Sequence, residues 1–215
     1  MKAIFFGDEI EQYFLGHQFS EVFKEKIYEP YLSGKKDLTI MDIGSCIGVT
    51  ALYFSQFAKR LVLVEPSRQH FECLTKMVEF NELKNTSLVN KAIYIKSGSY
   101  PLFHPNYGNK TMFTLFANIG AESSEPVEAI TIEDLFNQEK LDHVDFLKMD
   151  IEGTEDEVLA HTSFRNVADK IDTIVVEGHV WNARHENQLP EALKNAGFKV
   201  SKIQTEANLY VGTKL

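Results

Sequence analysis

Acidic side chains stand at the ends of several short apolar runs of this sequence. These are LTIMDI (38–43) with Asp42, LVLV (61–64) with Glu65, DFLKM (145–149) with Asp150, and TIVV (173–176) with Glu177. Such runs are typical of strands buried on both faces of a parallel sheet. Ligands of these sheets bind beyond the carboxyl ends of the strands, so the acids predict a binding site at that edge, with Asn90 at the end of a further strand. Taken singly, each acid is equally consistent with a surface residue or a helix cap.

The turn after the first apolar run predicts the kind of ligand. Gly44 and Gly48 frame a bend from strand to helix, where glycine permits close backbone approach. The dinucleotide pattern GxGxxG fails because Cys46 and Val49 stand where glycines are required, and no Gly-Lys-Ser/Thr phosphate loop occurs. Glu65 lies 21 residues after Gly44, the spacing at which an acid accepts hydrogen bonds from a ribose. A nucleoside without a pyrophosphate is therefore predicted, and S-adenosylmethionine fits.

A reaction between such a ligand and an acceptor requires alignment of the two and benefits from a base. His179 is the first candidate, because it follows Glu177 by two residues and both side chains can point the same way at a strand end. A histidine that only forms a hydrogen bond at the start of a loop is the alternative. Asp150, Glu152, Glu177 and His179 could also bind a divalent metal. We predict metal-independent transfer, because carboxylates equally suit a cationic donor.

The elements that must position these residues alternate between strand and helix, which predicts a parallel sheet covered by helices. An amphipathic helix is expected over residues 18–30, and a β-hairpin or loop excursion over 97–121. Further helices are predicted at 49–58, after Ser67, after a Thr131–Asp134 capping box, after a Thr154–Glu157 capping box, and at 186–196. Strand pieces are predicted at 86–95, 198–203 and 208–212.

Several segments together resemble the FkbM-type methyltransferase family. They are DIGSCIG (42–48), LVEPSRQHFECL (63–74), ITIEDL (130–135), DFLKMDIEGTEDEVL (145–159) and VVEGH (175–179). The resemblance implies a class I S-adenosylmethionine-dependent methyltransferase, usually acting on a hydroxyl. It also implies a Rossmann-like α/β fold with helices on both faces of a mostly parallel seven-stranded sheet, whose last strand is antiparallel. We expect residues 1–37 to form a helical segment packed on a single domain at 38–215.

The same resemblance assigns roles to the residues at the strand ends. Gly44, Ser45 and Gly48 would hold the methionine part of the cofactor, beside Asp42, and Glu65 would bind the ribose hydroxyls. Asn90 or its neighbours would approach the adenine. Asp150 would lie beside the methyl donor, with Glu152 close behind. This chain has Ser45-Cys46 where the family often has Ala-Asn, and both replacements are small.

The acceptor is expected among residues that follow the fifth strand, namely Trp181, Arg184 and His185. Aromatic residues of the 97–121 excursion could line the same pocket, although burial within the hairpin is the preferred interpretation. Cys46 has no histidine within its own motif, so a nucleophilic role is not expected. Lys148 lies inside a strand and could either pair with an acid or reach the surface.

Composition limits the partners of the chain. The 215 residues are 44% hydrophobic and 25% charged, which excludes a disordered chain, and the formal net charge is -9. An acidic chain argues against nucleic acid and anionic membrane as partners, and predicts a small-molecule or saccharide acceptor. Two cysteines and the absence of a signal-like or membrane-spanning run predict a soluble cytoplasmic protein. The alternatives are a non-catalytic nucleoside-binding domain and, less favoured because of the missing glycines, a nicotinamide-dependent dehydrogenase. The sequence leaves the oligomeric state open.

Overall fold

The fold is built on a seven-stranded, mostly parallel sheet. The computed structural model describes residues 16, 18–105, 113–115, 121–179, 188–205 and 207–214. The strands within them are β1 (Leu38–Ile43), β2 (Ala58–Val64), β3 (Thr86–Val89), β4 (Ala92–Ile93), β5 (Gly98–Pro105), β6 (Ala121–Ile130), β7 (Val144–Met149), β8 (Ile171–Glu177), β9 (Lys199–Lys202) and β10 (Leu209–Thr213). The main sheet has the order β3-β2-β1-β7-β8-β10-β9, and β10 runs antiparallel to both of its neighbours. This confirms the predicted α/β class.

Helices cover both faces of this sheet. They are α1 (Glu29–Leu32), α2 (Val49–Phe54), α3 (Arg68–Phe80), α4 (Ile132–Gln138), α5 (Glu155–Ala160), α6 (Thr162–Arg165) and α7 (Gln188–Asn195). Alternate strand residues point to opposite faces, so Ile40 joins the core beneath α2 and α3, whereas Met41 joins the core beneath α4 to α7. The two cores hold the strand ends, and with them the acidic residues, at one edge.

Two of the predicted helix caps form as expected and a third does not. Ser67 accepts a hydrogen bond from the His70 amide at the start of α3, and Thr131 forms a capping box with Asp134 at the start of α4. Thr154 precedes α5, but its side chain caps nothing, and Glu157 instead accepts a hydrogen bond from the Tyr94 hydroxyl. The Glu155 carboxylate instead accepts hydrogen bonds from the backbone amides of Ile151 and Gly153.

The amphipathic segment at 18–30 is not one helix. A π-helical turn covers Ser20–Lys24, the chain reverses at Lys26 with a φ of +56°, and α1 begins at Glu29 with a proline in its first turn. Proline is favoured in the first turn of a helix and disfavoured in its interior, because it has no N–H to donate. The apolar stripe is nevertheless used, since Val22 is buried and Phe23 packs on the same core.

The excursion forms a small second sheet instead of extending the main one. β5 and β6 pair antiparallel from Gly98 opposite Ala129 to Pro105 opposite Ala121, and β4 pairs parallel to β6. Tyr100 packs edge to face on Tyr94, which precedes the excursion, with ring centroids 5.0 Å apart, and both rings are half-buried. Tyr107 and Phe116 lie outside the described residues.

Within the described part of the chain, no helix has the length and apolar character that a membrane crossing requires.

Tyr28 anchors the segment before β1 to the domain, and its removal should destabilise the fold. Its ring is buried and meets Phe54 at 5.1 Å and Phe146 at 6.1 Å. We expect Tyr28→Ala to lower the free energy of unfolding by about 3 kcal/mol, as measured by urea denaturation, because it leaves a cavity between these rings. Phe80→Ala is the control, since Phe80 is 52% exposed and should cost less than about 1 kcal/mol. Similar losses in both variants would contradict this role.

Candidate functional site

The turn between β1 and α2 lies directly against the end of β7. Gly44 adopts a φ of +80°, and a Cβ at this position would overlap the backbone carbonyl oxygen of Asp150. Gly48 adopts a φ of +97°, and a Cβ there would overlap Met77 of α3. Gly44 is therefore required by close approach to the backbone as well as by conformation, whereas Gly48 is required chiefly by conformation, because the ends of flexible side chains can shift. The turn is consequently packed on β7 at one end and on α3 at the other.

A buried ammonium group joins the turn to the acidic residues. Lys148 of β7 donates a hydrogen bond to the Gly44 carbonyl oxygen (2.7 Å), and its Nζ lies 3.4 Å from Asp42 Oδ1 and 3.3 Å from Asp150 Oδ2. Burial alone would lower the pKa of Lys148, but the carboxylates of Asp150 and Asp42 raise it well above its usual value. Lys148 is therefore a fixed positive charge. Of the two alternatives that the sequence left open, pairing with an acid or reaching the surface, the structure shows pairing, with both Asp42 and Asp150.

Asp42 supports the turn from beneath. Its side chain is fully buried, and Oδ2 accepts a 2.6 Å hydrogen bond from the Thr50 hydroxyl of α2. This position does not suit the predicted direct contact with a cofactor, because both carboxylate oxygens face the protein interior. Ser45 is also buried and donates to the Asp42 carbonyl oxygen at 2.8 Å. Asp42 and Ser45 thus stabilise the turn between β1 and α2, whose residues line the clefts described below.

Glu65 at the end of β2 is held by two backbone amides. Oε2 accepts from the Cys46 amide and Oε1 from the Ser67 amide, each at 2.9 Å. Asn90 donates through its side-chain amide to the carbonyl oxygens of Glu65 (2.8 Å) and Pro66 (3.1 Å). The carboxylate is therefore fixed in orientation, and each of its oxygens keeps a further lone pair that could accept from a hydroxyl.

A second acidic cluster surrounds His179. Its Nδ1 lies 2.9 Å from Glu155 Oε1, and its Nε2 lies 3.2 Å from Glu152 Oε2 and 3.8 Å from the nearest oxygens of Asp150 and Glu177. Glu155 also accepts from the amides of Ile151 and Gly153, which fixes the loop between β7 and α5. The predicted residues Asp150, Glu152, Glu177 and His179 are thus brought together. Glu155, which sequence analysis missed, orients the imidazole.

The charges of this cluster shift the pKa of its members. Burial lowers the pKa of His179, but the hydrogen bond to Glu155 and the charges of Glu152 and Asp150 raise it to about 11. Burial raises the pKa of Glu177 to about 7 and that of Glu152 to about 8, with Asp150 adding to both and His179 opposing. His179 is therefore an imidazolium at neutral pH, so this arrangement does not favour its predicted role as a base. Glu177 instead titrates near neutrality.

Three recesses meet at Gly44. The first cleft, of about 440 Å³, lies between the turn, β7, β8 and the segment before β1, and the second, of about 390 Å³, lies on the Glu65 side. Residues of the first cleft include Glu21, Tyr28, Ser45, Lys148, Asp150 and Glu177. Residues of the second include Cys46, Glu65, Pro66, His70, Phe113, Asp150 and Glu152. An apolar slot of about 260 Å³ adjoins both and is lined by Ile43, Val64, Pro66, Lys91, Ala92, Ile93, Leu115, Ile151 and Thr154.

The predicted acceptor residues Trp181, Arg184 and His185 lie outside the described residues.

The alternative of a metal site is compatible with part of the geometry, because ligand atoms of Asp150, Glu155 and His179 lie within 4.8 Å of one another. The imidazole in this group already contacts carboxylates through both of its nitrogens, which suits an imidazolium.

The contact of Gly44 with β7 should make this position intolerant of any side chain. We expect Gly44→Ala to lower the free energy of unfolding by about 3 kcal/mol, since it combines backbone strain with overlap on the Asp150 carbonyl. Gly34→Ala is the matched control, because Gly34 also has a positive φ (+76°) but open space around it, and should cost about 1 kcal/mol. Equal losses in urea denaturation would show that strain alone accounts for the glycine.

Comparison with solved structures places the fold among methyltransferases. Similar structures include one from Streptococcus mutans in complex with SAH (S-adenosylhomocysteine), at 12% identity and a TM-score of 0.55, covering 89% of this chain and 97% of that chain. Precorrin-6y C5,15-methyltransferase from Geobacter metallireducens is similar at 12% identity and a TM-score of 0.51, covering 94% and 89%. An rRNA methylase from Streptococcus thermophilus is similar at 9% identity and a TM-score of 0.50, covering 89% and 94%. At these identities the likeness establishes the fold alone.

Comparison at the level of sequence identifies the family. A search of the curated proteins found no match to this sequence. The family model described as the methyltransferase FkbM domain matches residues 42–200, which is more than half of the chain. The matched range includes the glycine turn, Glu65, and the acids Asp150 and Glu177 at the ends of β7 and β8. The chain therefore belongs to the FkbM methyltransferase domain family, as its motifs predict.

Proposed function

We propose that this methyltransferase transfers the methyl group of S-adenosylmethionine to a hydroxyl oxygen of a small-molecule or saccharide acceptor. The observation that carries the proposal is the convergence of two acidic groups on the glycine turn. Glu65 and Glu152 line the second cleft, Glu177 lines the first, and Asp150 lines both. A donor that carries ribose hydroxyls next to cationic groups matches this distribution of carboxylates.

The residues present fit the proposed cofactor. The second cleft would hold the ribose against Glu65, whose oxygens can each accept another hydrogen bond. The apolar slot next to it, between Pro66, Ala92 and Ile151, has the apolar lining that suits the adenine ring. Asn90 would act indirectly, because it holds the carbonyl groups of Glu65 and Pro66. The first cleft, with Gly44 and Asp150 at its floor, would hold the methionine part.

Transfer requires a nucleophile aligned with the donor in a site that excludes water. When bound, S-adenosylmethionine supplies a methyl group activated by its positively charged sulfur. Asp150, fixed by Lys148 at 3.3 Å, would face that positive charge. Glu177 lines the first cleft and has a pKa of about 7, which suits it to accept the hydroxyl proton at neutral pH. His179 would act as the cation that holds these acids together.

The net charge of -9 disfavours a polyanionic acceptor, although methylases of rRNA share this fold. Trp181, Arg184 and His185 follow β8, so they remain the proposed acceptor contacts.

Isothermal titration with S-adenosylmethionine and S-adenosylhomocysteine tests the donor site. We expect micromolar binding of both, and an affinity about 10- to 100-fold lower in Glu65→Gln, because the amide cannot accept ribose hydroxyls at both of its terminal atoms. Glu72→Gln is the control, since Glu72 is an exposed carboxylate on α3 and should leave both affinities unchanged. Turnover is then measured with methyl-labelled donor on alcohols and saccharides. Methylation of nitrogen or carbon alone would overturn O-methylation, and binding without turnover on any acceptor would support a non-catalytic domain.

The pH dependence of donor binding follows from the raised pKa of Glu177 and Glu152. Below about pH 7 the Glu177 carboxyl is protonated, and as the pH rises to 8.5 it and Glu152 ionise, which makes the site more negative. The affinity for S-adenosylmethionine, relative to uncharged-sulfur S-adenosylhomocysteine, should therefore rise by about tenfold between pH 6 and 8.5. Glu177→Gln should flatten most of this rise. A ratio independent of pH in the unaltered protein would contradict the assignment.

A further inference from the structure

Cys46 in the glycine turn has a histidine partner that its own motif does not provide. Its Sγ lies 3.8 Å from Nδ1 of His70, which α3 brings up to the turn. The same Nδ1 lies 3.8 Å from Glu65 Oε1. The sequence expectation that Cys46 is no nucleophile rested on the absence of a nearby histidine, and the fold removes that ground.

His70 is held rigidly in this position. It is 1% exposed, its amide is bound by the Ser67 cap, and its ring stacks on Phe113 with centroids 4.5 Å apart and planes 8° apart. Burial lowers the pKa of His70, but Cys46 and Glu65 raise it to about 11. A cationic imidazole beside a thiol favours the thiolate, which is the nucleophilic form of cysteine.

Cys46 is also accessible from the clefts. Cys46 is partly exposed and lines both the first and the second cleft. Among the described residues, His70 of α3 contacts the thiol of Cys46, and Glu65 at the end of β2 contacts its backbone amide. The other ionisable groups that line the two clefts are Glu21, Tyr28, Lys148, Asp150, Glu152 and Glu177. The carboxylates among them disfavour a thiolate at Cys46, whereas the imidazolium of His70 favours it. Removal of the His70 imidazole should therefore lower the reactivity of the Cys46 thiol.

We propose that Cys46 is a modification site whose thiolate, paired with His70, reacts with small electrophiles that enter the groove. With hydrogen peroxide as oxidant, the sulfur attacks one peroxide oxygen, an S–O bond forms and the O–O bond breaks. The departing hydroxide takes a proton and leaves as water, so that the sulfur is oxidised by two electrons to a sulfenic acid and the peroxide is reduced. With iodoacetamide, an S–C bond forms and iodide leaves.

Modification at this position would close the methyl-donor site. Cys46 lies in the turn between the two clefts, so an added group would occupy space next to Gly44. This consequence rests on the proposed donor position, whereas the reactivity of the thiol does not. A bound donor and a modified Cys46 should therefore exclude each other.

Alkylation of the unaltered full chain by iodoacetamide tests the reactivity, with Cys73 as the internal control. The two cysteines fall in separate tryptic peptides, so mass spectrometry follows both in one sample between pH 5.5 and 8.5. An ordinary thiol reacts about tenfold faster for each pH unit below its pKa of about 8.5. We expect the Cys46 rate to exceed that of Cys73 about tenfold or more at pH 6 and to depend less steeply on pH than that of Cys73. His70→Asn should restore the steep rise at Cys46. A steep rise at Cys46 in the unaltered protein would overturn the proposal without any variant.

The link to the donor site is tested with S-adenosylhomocysteine, whose binding is measured separately by calorimetry. At saturation it should slow alkylation of Cys46 at least about tenfold and leave Cys73 unchanged, and the alkylated protein should no longer bind it. In Cys46→Ser, treatment with iodoacetamide should leave the measured affinity the same as before treatment. Binding without protection of Cys46 would overturn the link. Absence of binding to unmodified protein would overturn the proposed function and the link with it, while the pH profile still decides the reactivity of the thiol.

Discussion

The arrangement of this site depends on one buried ammonium group, that of Lys148. It lies on the central strand β7 and contacts the Gly44 carbonyl, Asp42 and Asp150 within 3.4 Å. A buried carboxylate without a counter-charge would be neutralised or would cost several kcal/mol, on the order of the whole stability of a domain. Lys148 therefore allows β1 and β7 to end in acids side by side. It also fixes the Gly44 carbonyl, in a turn that passes so close to the Asp150 carbonyl that no side chain fits at Gly44.

The same local balance of charge explains why acids can collect beyond the strand ends. Asp150, Glu152, Glu155 and Glu177 surround a single imidazolium, so the cluster stays negative even after Lys148 is counted. Burial and mutual repulsion raise the pKa of Glu152 and Glu177. Protonation of these two carboxyl groups therefore removes part of the excess negative charge. A cationic ligand would relieve the rest. The cluster thus favours a positively charged donor while keeping one carboxyl close to its titration point.

Local signals in the sequence were sufficient for the strands of the main sheet and for the residues that follow them, whereas β6 extends beyond the excursion predicted at 97–121. Buried strands such as β2 and β8 read as continuous apolar runs, and the edge at which they end follows from their parallel direction. Residues 18–30 were predicted wrongly as one helix, because the apolar stripe persists across the reversal at Lys26. The pairing of His70 with Cys46 and the orientation of His179 by Glu155 depend on contacts between residues 24 positions apart, which no motif records.

Phe113 connects the second sheet to the groove and gives the excursion a place in the site. Its ring lies between those of His70 and His104, with centroid distances of 4.5 and 4.3 Å, and it lines the second cleft beside Glu65. His104 in turn lies 3.5 Å from Glu125 across the β5–β6 pair. A change in the position of this pair would therefore reach the imidazole that faces Cys46 and the carboxylate proposed to bind the ribose. The excursion, whose sequence reads as an interruption of the alternating fold, thus contributes Phe113 to the second cleft, where the ribose is proposed to bind and the thiol of Cys46 is proposed to react.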